Sequence, residues 1–482
     1  MQSPNESTLS LLQPGLLTDE RRLSVIIQSL FSAWMLAFLF QGQIFISLAA
    51  AHNFDPSALI TYATLAMLAG HLLSGVFIQS KASARRLWLY AYPFFALLTL
   101  IFFFPPNLLW SIAIVSGSFL AGISISAWAF YLRSSSPKGQ RFRTVADLLI
   151  LSNLFMIFLN LVGSYISPSA GLALSILLLA GAYFLTQKLP DEAIKAAAPA
   201  PSLRKGAVQL KKSLAFLSLF IVIITINAGL MYRLVNPAFA HLEGLVSWYW
   251  AVPYIAAILI IKNLPDSINK TYLLYIALGM IGLSFIAFTA LNRTVLSYLL
   301  VDTLMLGAFG VYDLFWWTIL GEMLEYHKNP ALVLGIGLGA NLLGVLIGAQ
   351  IVIPIVSADG GGHNPAFLAL FVVCVTLMLL PLLHKQLTLL LREHASFLLA
   401  PDAYDKALNA RAQRIADYGL LSEREAEIAA RLLQGKTYKT IASELFLSEN
   451  TIKFHVKNIY GKFHISSRTE LIQLLTDADS QS

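Results

Sequence analysis

The sequence predicts an all-α protein: a polytopic membrane bundle of about twelve spans, arranged six and six, followed by a small four-helix domain. Three observations carry that expectation. Hydrophobic residues make up 57% of the 482 residues and charged residues 12%, against about 45–50% and about 25% in ordinary soluble domains. Apolar stretches of roughly 20 residues, the length a helix needs to cross a bilayer core, recur through residues 23–384. Charge is concentrated beyond them: residues 385–482 hold 13 Lys/Arg and 12 Asp/Glu, whereas residues 1–384 hold 20 and 14.

The expected spans lie near 23–50, 57–79, 87–104, 109–131, 146–167 and 170–187, then near 213–236, 246–261, 271–290, 295–321, 331–356 and 366–384. Pro105, Pro106 and Asn107 mark a tight turn between the third and fourth. The chain then divides into an N-terminal segment 1–22, a first six-span bundle 23–187, a linker 188–212 and a second six-span bundle 213–384. A helical connector 385–419, a small helical domain 420–476 and a tail 477–482 follow. The linker runs through Ala196-Ala197-Ala198-Pro199-Ala200-Pro201, a composition that favours a flexible tether. Residues 385–399 and 402–418 read as two helices interrupted by Pro401, too short to hold a phosphoacceptor domain.

Orientation follows from the loops, because Lys and Arg accumulate on the cytoplasmic side of a membrane. Of the 20 Lys/Arg in residues 1–384, 18 fall at one end of the alternating spans, and only Arg233 and Arg293 at the other. Both termini are therefore expected in the cytoplasm. The polar stretch 1–19 lacks the basic start and short apolar core of a cleavable signal, so the first span is expected to direct insertion. The single cysteine, Cys374, rules out an internal disulfide and a Cys-rich zinc site; in its apolar run it reads as a small core residue.

The C-terminal region carries the sharpest pattern. Ser422 and Glu425 form a capping box at the start of a first helix, in which Ile428 and Leu432 face inward, and Gly435 ends it. Thr437 opens a second helix with Ile441, Ala442 and Leu445 inward. Leu447 and Ser448 make the turn, and Ser448 caps a third helix. Its Ile452, Val456, Ile459 and Phe463 recur at three- and four-residue steps, while Lys453 and Lys457 share another face one turn apart. Ser466 or Ser467 caps a fourth helix bearing Leu471, Ile472 and Leu475. A short helix after a tight turn with basic residues outward fits the major groove; on spacing alone the two lysines fit a solvated surface equally well.

This stretch resembles the LuxR/FixJ-type helix-turn-helix over its full length of about 55 residues. The resemblance rests on Leu421, Arg424, Glu425, Glu427, Gly435, Lys439, Ile441, Ala442, Leu445, Ser448, Thr451, Ile452, Lys453, His455, Asn458, Ile459, Lys462 and Arg468. Thr440 stands where that family usually has Glu, and Phe463 where it has Leu. The resemblance implies that Lys453, Phe454 and Lys457 face bases and that Asn450 and Thr451 face the DNA backbone. Thr437 and Lys439 join these as candidate DNA contacts. Pairing of two copies through the fourth helix, on an operator of two half-sites, is implied as well. Net charge over 420–476 is only +2, from eight basic and six acidic residues, so non-specific affinity is expected to be modest.

The six-plus-six arrangement with a long middle loop resembles the major facilitator superfamily over residues 20–384. That family's signature loop is Gly, an acid, then paired basics. Here Gly75, Lys81, Arg85 and Arg86 are kept, Gln79 replaces the acid, and the loop is longer than the signature by about two residues; the corresponding loop at 262–270 does not match.

Ionisable groups inside spans are candidate functional residues. Asp302 and Asp313 lie eleven residues apart on one helix face, with Trp317 one turn beyond Asp313. Arg233 sits near the outer end of its span and either pairs with Asp302 as a structural ion pair or holds an anion. Gln41 is a further candidate. The tryptophan pair reads equally as an interfacial anchor, and the pairs Gly335/Gly339 and Gly344/Gly348 read as close helix packing. No nucleophile–base constellation or metal-ligand set stands out, so neither an enzyme nor a cofactor is expected. The resulting expectation is a one-component transcription regulator of the bacterial inner membrane that binds DNA and an unidentified small molecule; the alternative is a secondary transporter with a regulatory DNA-binding tail.

Overall fold

The computed structural model describes residues 19–39, 42–136, 140–190, 203–264, 271–357 and 370–382 except 380, then 421–433, 447–463 and a few residues around them. They fall into two compact units, one within residues 1–387 and one built on residues 388–482.

In the first half of the larger unit, α1 (Glu20–Trp34) starts at Asp19, whose carboxylate accepts from the Arg21 amide at 3.0 Å. It continues through a π turn, Met35–Leu39, into α2 (Gln43–Ala51). At the break, a Cβ on Gly42 would sit 2.1 Å from the Ala37 carbonyl carbon, so only glycine fits. The following helices are α3 (Ser57–Phe77), α4 (Lys81–Leu100), α5 (Leu108–Ala127), α6 (Ala129–Ser135), α7 (Arg141–Tyr165) and α8 (Pro168–Gln187). Their starts are where local chemistry puts them. Ser80 and Ser83 form a capping box for α4, Asn107 accepts from the Leu109 amide at 2.8 Å for α5, and Ser167 caps α8.

The second half repeats the plan. α9 (Leu203–Leu230) runs into a second π turn, Met231–Val235. Then come α10 (Ala251–Lys262), α11 (Thr271–Ala290), α12 (Val295–Met323), α13 (Pro330–Ser357) and a short apolar α14 (Leu370–Leu379). Among the described residues ten helices are long and apolar enough to cross a membrane. An eleventh span forms if the bent pair Ala240–Val246 and Ala251–Lys262 is taken as one. The expected eighth span is thus broken by 44°, and the expected twelfth is described only through α14 and its neighbour. Cys374, expected in the core, is exposed on α14.

Lipid gives helices no hydrophobic reason to associate, so close packing must come from small residues and polar bonds. The outward faces are apolar, with Val76, Tyr90, Leu97, Leu177 and Ile276 each more than half exposed. Between helices the backbones nearly touch. A Cβ on Gly70 of α3 would lie 2.1 Å from the Phe119 carbonyl oxygen of α5, and one on Gly335 of α13 would lie 2.2 Å from that of His71 on α3. Gly344 and Gly348 meet α9 in the same way, at the Val222 and Ile226 carbonyls. Both expected glycine pairs thus contain positions where helices close on one another.

Polar bonds clasp the halves at the end that carries the basic loops. Buried Arg141, at the start of α7, donates to the Gly321 carbonyl at 2.9 Å, lies 3.8 Å from Glu322 and pairs with Glu325. Asp147 bridges Arg21, at 3.4 Å, and Lys262 of the second half, at 2.5 Å. Asn329 donates to the carbonyls of Gly75 and Ile78, both at 2.8 Å, and Ser74 to that of Ala331 at 3.0 Å. At the opposite end Asn160 donates to the Ser247 carbonyl at 3.0 Å and Tyr165 to that of Gly244 at 3.2 Å.

Gly335→Ala should lower the thermal stability of the purified protein by about 1–3 kcal/mol, the range for forcing volume into a packed core. Gly279→Ala, where an added Cβ meets nothing within 4 Å, should leave the melting temperature unchanged. Equal melting of the two variants in one detergent would contradict this packing.

Candidate nucleic-acid interface and membrane site

In the C-terminal unit α15 (Glu423–Leu433) and α16 (Glu449–Lys462) bracket the turn. Leu421, Ala426, Ile428, Ala429, Leu432, Ile441, Ala442, Leu445, Ile452, Val456 and Ile459 form one buried core, with Leu447 and Phe463 packed on its edge. The aromatic ring at position 463 therefore fills the core margin as a leucine would. The capping box is present: the Ser422 amide donates to Glu425 Oε2 at 2.8 Å, and the Glu425 amide to Ser422 Oγ at 3.3 Å. Arg424 donates to the Leu445 carbonyl at 3.0 Å, fixing the approach to the turn.

α16 starts on Ser448, which accepts from the Thr451 amide at 3.1 Å. Each residue turns the helix by about 100°. Ile452, Val456 and Ile459 therefore share the buried face, and Asn450, Lys453, Phe454 and Lys457 share an exposed one opposite. Phe454 is 62% exposed, an unusual position for a phenyl ring on a water-facing helix. Lys453 pairs with Glu449, 3.0 Å away one turn earlier, an exposed pair of small energetic weight. The Thr451 hydroxyl bonds Ser448 Oγ at 2.7 Å, so part of its capacity is spent on the cap. Thr437, Lys439 and the fourth-helix residues lie outside the described residues.

Glu425 ties this unit together, accepting from Lys462 Nζ at 2.6 Å as well as from Ser422. Burial works to raise its carboxyl, but the hydrogen bonds from Lys462 and Ser422 outweigh burial and hold it below the usual glutamate range. A carboxyl depressed in the fold stabilises above its unfolded value, and that contribution is lost as pH falls through its folded value.

In the membrane unit, α12 carries both aspartates. Asp313 is half-buried, accepting from Tyr254 Oη at 2.9 Å and from Trp316 Nε1 at 3.0 Å. Sequence spacing pointed to Trp317 as its neighbour. In the structure Trp316 holds the carboxylate, and Trp317 stacks on Trp316 at 5.4 Å and meets Trp128 at 6.2 Å. Spacing could not separate two adjacent tryptophans, nor find Tyr254 on another helix. Asp302 is buried, and its Oδ2 has no hydrogen-bond partner among the described residues.

No ion pair joins Asp302 to Arg233 among the described residues. Instead Arg233 and Tyr232, on the π turn after α9, line a cavity of about 160 Å³ with residues of α2, α3 and α13. The cavity lining includes Arg233 but not Asp302, Asp313 or Trp317, although the charge of Asp313 reaches Tyr232 on its wall. Gln41 lies outside the described residues. The clasp around Arg141 was missed in the sequence, although Glu322 and Glu325, three apart at the end of an apolar run, were its visible sign.

Fold and exposed helix together define a helical membrane protein that carries a helix-turn-helix DNA-binding domain. Residues 419–475 match the family described as bacterial regulatory proteins, luxR family. Over 53 residues the chain is 43% identical to the spore germination protein GerE of Bacillus subtilis (strain 168), covering 72% of that protein and 11% of this chain. Over 50 residues it is 44% identical to the transcriptional regulatory protein LiaR of the same strain, covering 24% of LiaR and 10% of this chain. Through this region the chain belongs to the LuxR family of bacterial regulatory proteins.

The larger unit has the major facilitator superfamily fold. It is similar to the proton:xylose symporter XylE, with a TM-score of 0.55 and 14% identity over 77% of this chain and 96% of the other. It is also similar to the human organic anion transporter MFSD10, with a TM-score of 0.57 and 13% identity over 78% and 100%.

Amide hydrogen exchange of residues 421–463 in the full-length protein should accelerate as pH falls below about 4.5, after correction for the intrinsic pH dependence of exchange. Glu425→Gln should flatten that dependence. A variant that keeps the wild-type profile would remove Glu425 from the stabilising network.

Proposed function

We propose that the protein is a one-component transcription regulator that senses a small molecule through its membrane unit and thereby controls DNA binding by its helix-turn-helix. The observation that carries this reading is the exposed face of α16, where Asn450, Lys453, Phe454 and Lys457 stand opposite the buried Ile452, Val456 and Ile459. That face has the chemistry of a major-groove reader. Lysines bond guanine edges or phosphates, and a phenyl ring packs on thymine methyls. Asn450 and Thr451 hold the DNA backbone, and Thr437 and Lys439 are further DNA contacts. The partner is an operator of two half-sites bound by a homodimer.

In this reading the protein lies in the bacterial inner membrane with both termini in the cytoplasm. The basic loops support that orientation, as does the requirement that a DNA-reading domain meet the chromosome. The sensing step is a shift of the two six-helix halves, passed along residues 385–419 to the DNA-binding domain. Asp313, buttressed by Tyr254 and Trp316, belongs to the packing through which such a shift is felt. The fold is equally that of a secondary transporter. Against transport stands Gln79, which takes the place of the signature acid and whose side-chain amide, among the described residues, donates to the nearby Val76 carbonyl of α3.

Replacing Lys453 and Lys457 together by Ala should abolish operator binding in a mobility-shift assay while leaving the fold intact, each base-reading contact contributing on the order of 1–3 kcal/mol. A double variant that shifts the operator at wild-type affinity would remove α16 from the interface.

A reporter fused after Ser482 should behave as cytoplasmic, and one inserted within residues 358–362 as external. An external C-terminal reporter would contradict the orientation and the DNA-binding role together.

A further inference from the structure

The cavity beside Arg233 has a composition that specifies its occupant. It lies between the halves, at the end of the bundle away from the basic loops. α2 and α3 contribute from the first half, and α13 and the π turn after α9 from the second. A π turn widens a helix by one residue and recurs at functional positions; here it sends consecutive residues, Tyr232 and Arg233, to the cavity wall.

The polar groups divide sharply into spent and free. Thr61 and Thr64 donate their hydroxyl protons to the carbonyls of Ser57 and Ile60, at 3.1 and 2.8 Å. The Ser57 side chain is engaged with Asp55. By contrast the Arg233 guanidinium, the Tyr232 hydroxyl and the Gln350 amide make no hydrogen bond among the described residues, and no carboxylate there lies within ion-pairing distance of Arg233. Asp55 feels Arg233 only from farther off: its carboxyl is held low first by the hydrogen bonds from Ser57 and last by the charge of Arg233. Three donors with no hydrogen bond among the described residues, one of them a full positive charge, thus line a cavity whose remaining wall combines aliphatic residues such as Ile60, Val345 and Leu346 with Ser57, Thr61 and Thr64, whose hydroxyls are spent locally.

We infer that this cavity binds a small organic monocarboxylate, its carboxylate on Arg233 and its apolar body against Ile60 of α3 and Val345 and Leu346 of α13. The planar guanidinium matches a carboxylate with two parallel hydrogen bonds. One cation matches one negative charge, and a wall of aliphatic side chains and already engaged hydroxyls offers little to replace the hydration of an anion such as phosphate. Size sets the class further. A cavity of about 150 Å³ holds benzene, so a volume of about 160 Å³ admits an acid with a ring or a branched chain of that bulk. Because the wall is drawn from both halves, a bound acid favours the arrangement of halves that closes on it. The inference rests on the sensing role proposed above and supplies its ligand class.

The test measures binding to purified full-length protein separately from transcription. Acetate, isobutyrate, benzoate and phenylacetate are titrated by thermal shift and calorimetry, beside neutral benzamide and inorganic phosphate. Benzoate or phenylacetate should stabilise the protein, with benzamide and phosphate weaker by about tenfold or more. Arg233→Gln should abolish the preference for the charged probe while keeping wild-type operator binding, and Arg233→Lys should retain part of it. The inference is overturned if none of the four acids stabilises the protein, if benzamide or phosphate binds as well as the best acid, or if Arg233→Gln binds the acids as wild type does. The charged–neutral comparison on the wild type decides the matter even if the variant misfolds. Acid binding with an unresponsive operator-linked reporter upholds this site and rejects the sensing role. A reporter that responds to changes in the membrane unit but to no acid keeps the sensing role and rejects this site.

Discussion

The close approach of α13 to both halves is the constraint on which the membrane unit depends. Along one helix, Gly335 meets the backbone of α3 in the first half, while Gly344 and Gly348 meet that of α9 in the second. In lipid such contact must replace the hydrophobic effect, because a leucine facing acyl chains is as well solvated as one facing protein. The same stretch of α13 that carries Gly344 and Gly348 also borders the cavity. Val345, Leu346, Ala349 and Gln350 of α13 border the cavity, and the π turn after α9 fills its edge with Tyr232 and Arg233. Tight packing and open space thus occur side by side along one stretch of α13.

The two ends of this arrangement carry opposite chemistry. At the basic-loop end, charges lie inside the interface between the halves. Arg141 is buried and surrounded by Glu322, Glu325 and the Gly321 carbonyl, and Asp147 is shared between Arg21 and Lys262. A charge removed from water is tolerated only with partners in place, and stranding one costs about 3–5 kcal/mol. At the other end the halves meet through the neutral bonds of Asn160 and Tyr165, and the Arg233 cation has no ion pair among the described residues. The interface is therefore firmly closed where its charges are matched and incomplete where one is not.

How much of this was legible in the sequence depends on what surrounds each helix. In the DNA-binding domain water sorts the faces, so the alternation of Ile452, Val456 and Ile459 with Lys453 and Lys457 announced inside and outside directly. Ser422, Glu425 and Ser448 announced the helix starts by cap chemistry. In the membrane unit length and apolarity gave the spans, and Ser80, Asn107 and Ser167 mark their starts. The faces stayed hidden because lipid and protein are equally apolar surroundings. The periodicity that separates core from solvent therefore vanishes, and Cys374, read as core, proved exposed. For the same reason Asp313 was found but its partners were not, since Trp316 and Trp317 differ only in direction and Tyr254 arrives from another helix. Arg141 read as one more loop charge until its burial was seen.

Magnitudes connect the two ends. Moving a two-state equilibrium from mostly one arrangement to mostly the other takes about 5.5 kcal/mol of differential binding. The upper limit for very small ligands is about 1.5 kcal/mol per non-hydrogen atom, so an acid of benzene-like bulk has enough binding energy in principle, provided most of it is realised in one arrangement only. A site confined to one half would fail that condition, because its geometry would be the same in both arrangements and equal affinity shifts nothing. The cavity beside Arg233 meets it, with walls drawn from α3 and α13 on opposite sides of the divide. The opposing scale is the clasp at the basic-loop end, where separating Arg141 from its glutamates would cost a similar few kcal/mol. A clasp much stronger than this would make the halves deaf to any ligand of that size, and a much weaker one would leave them apart without it.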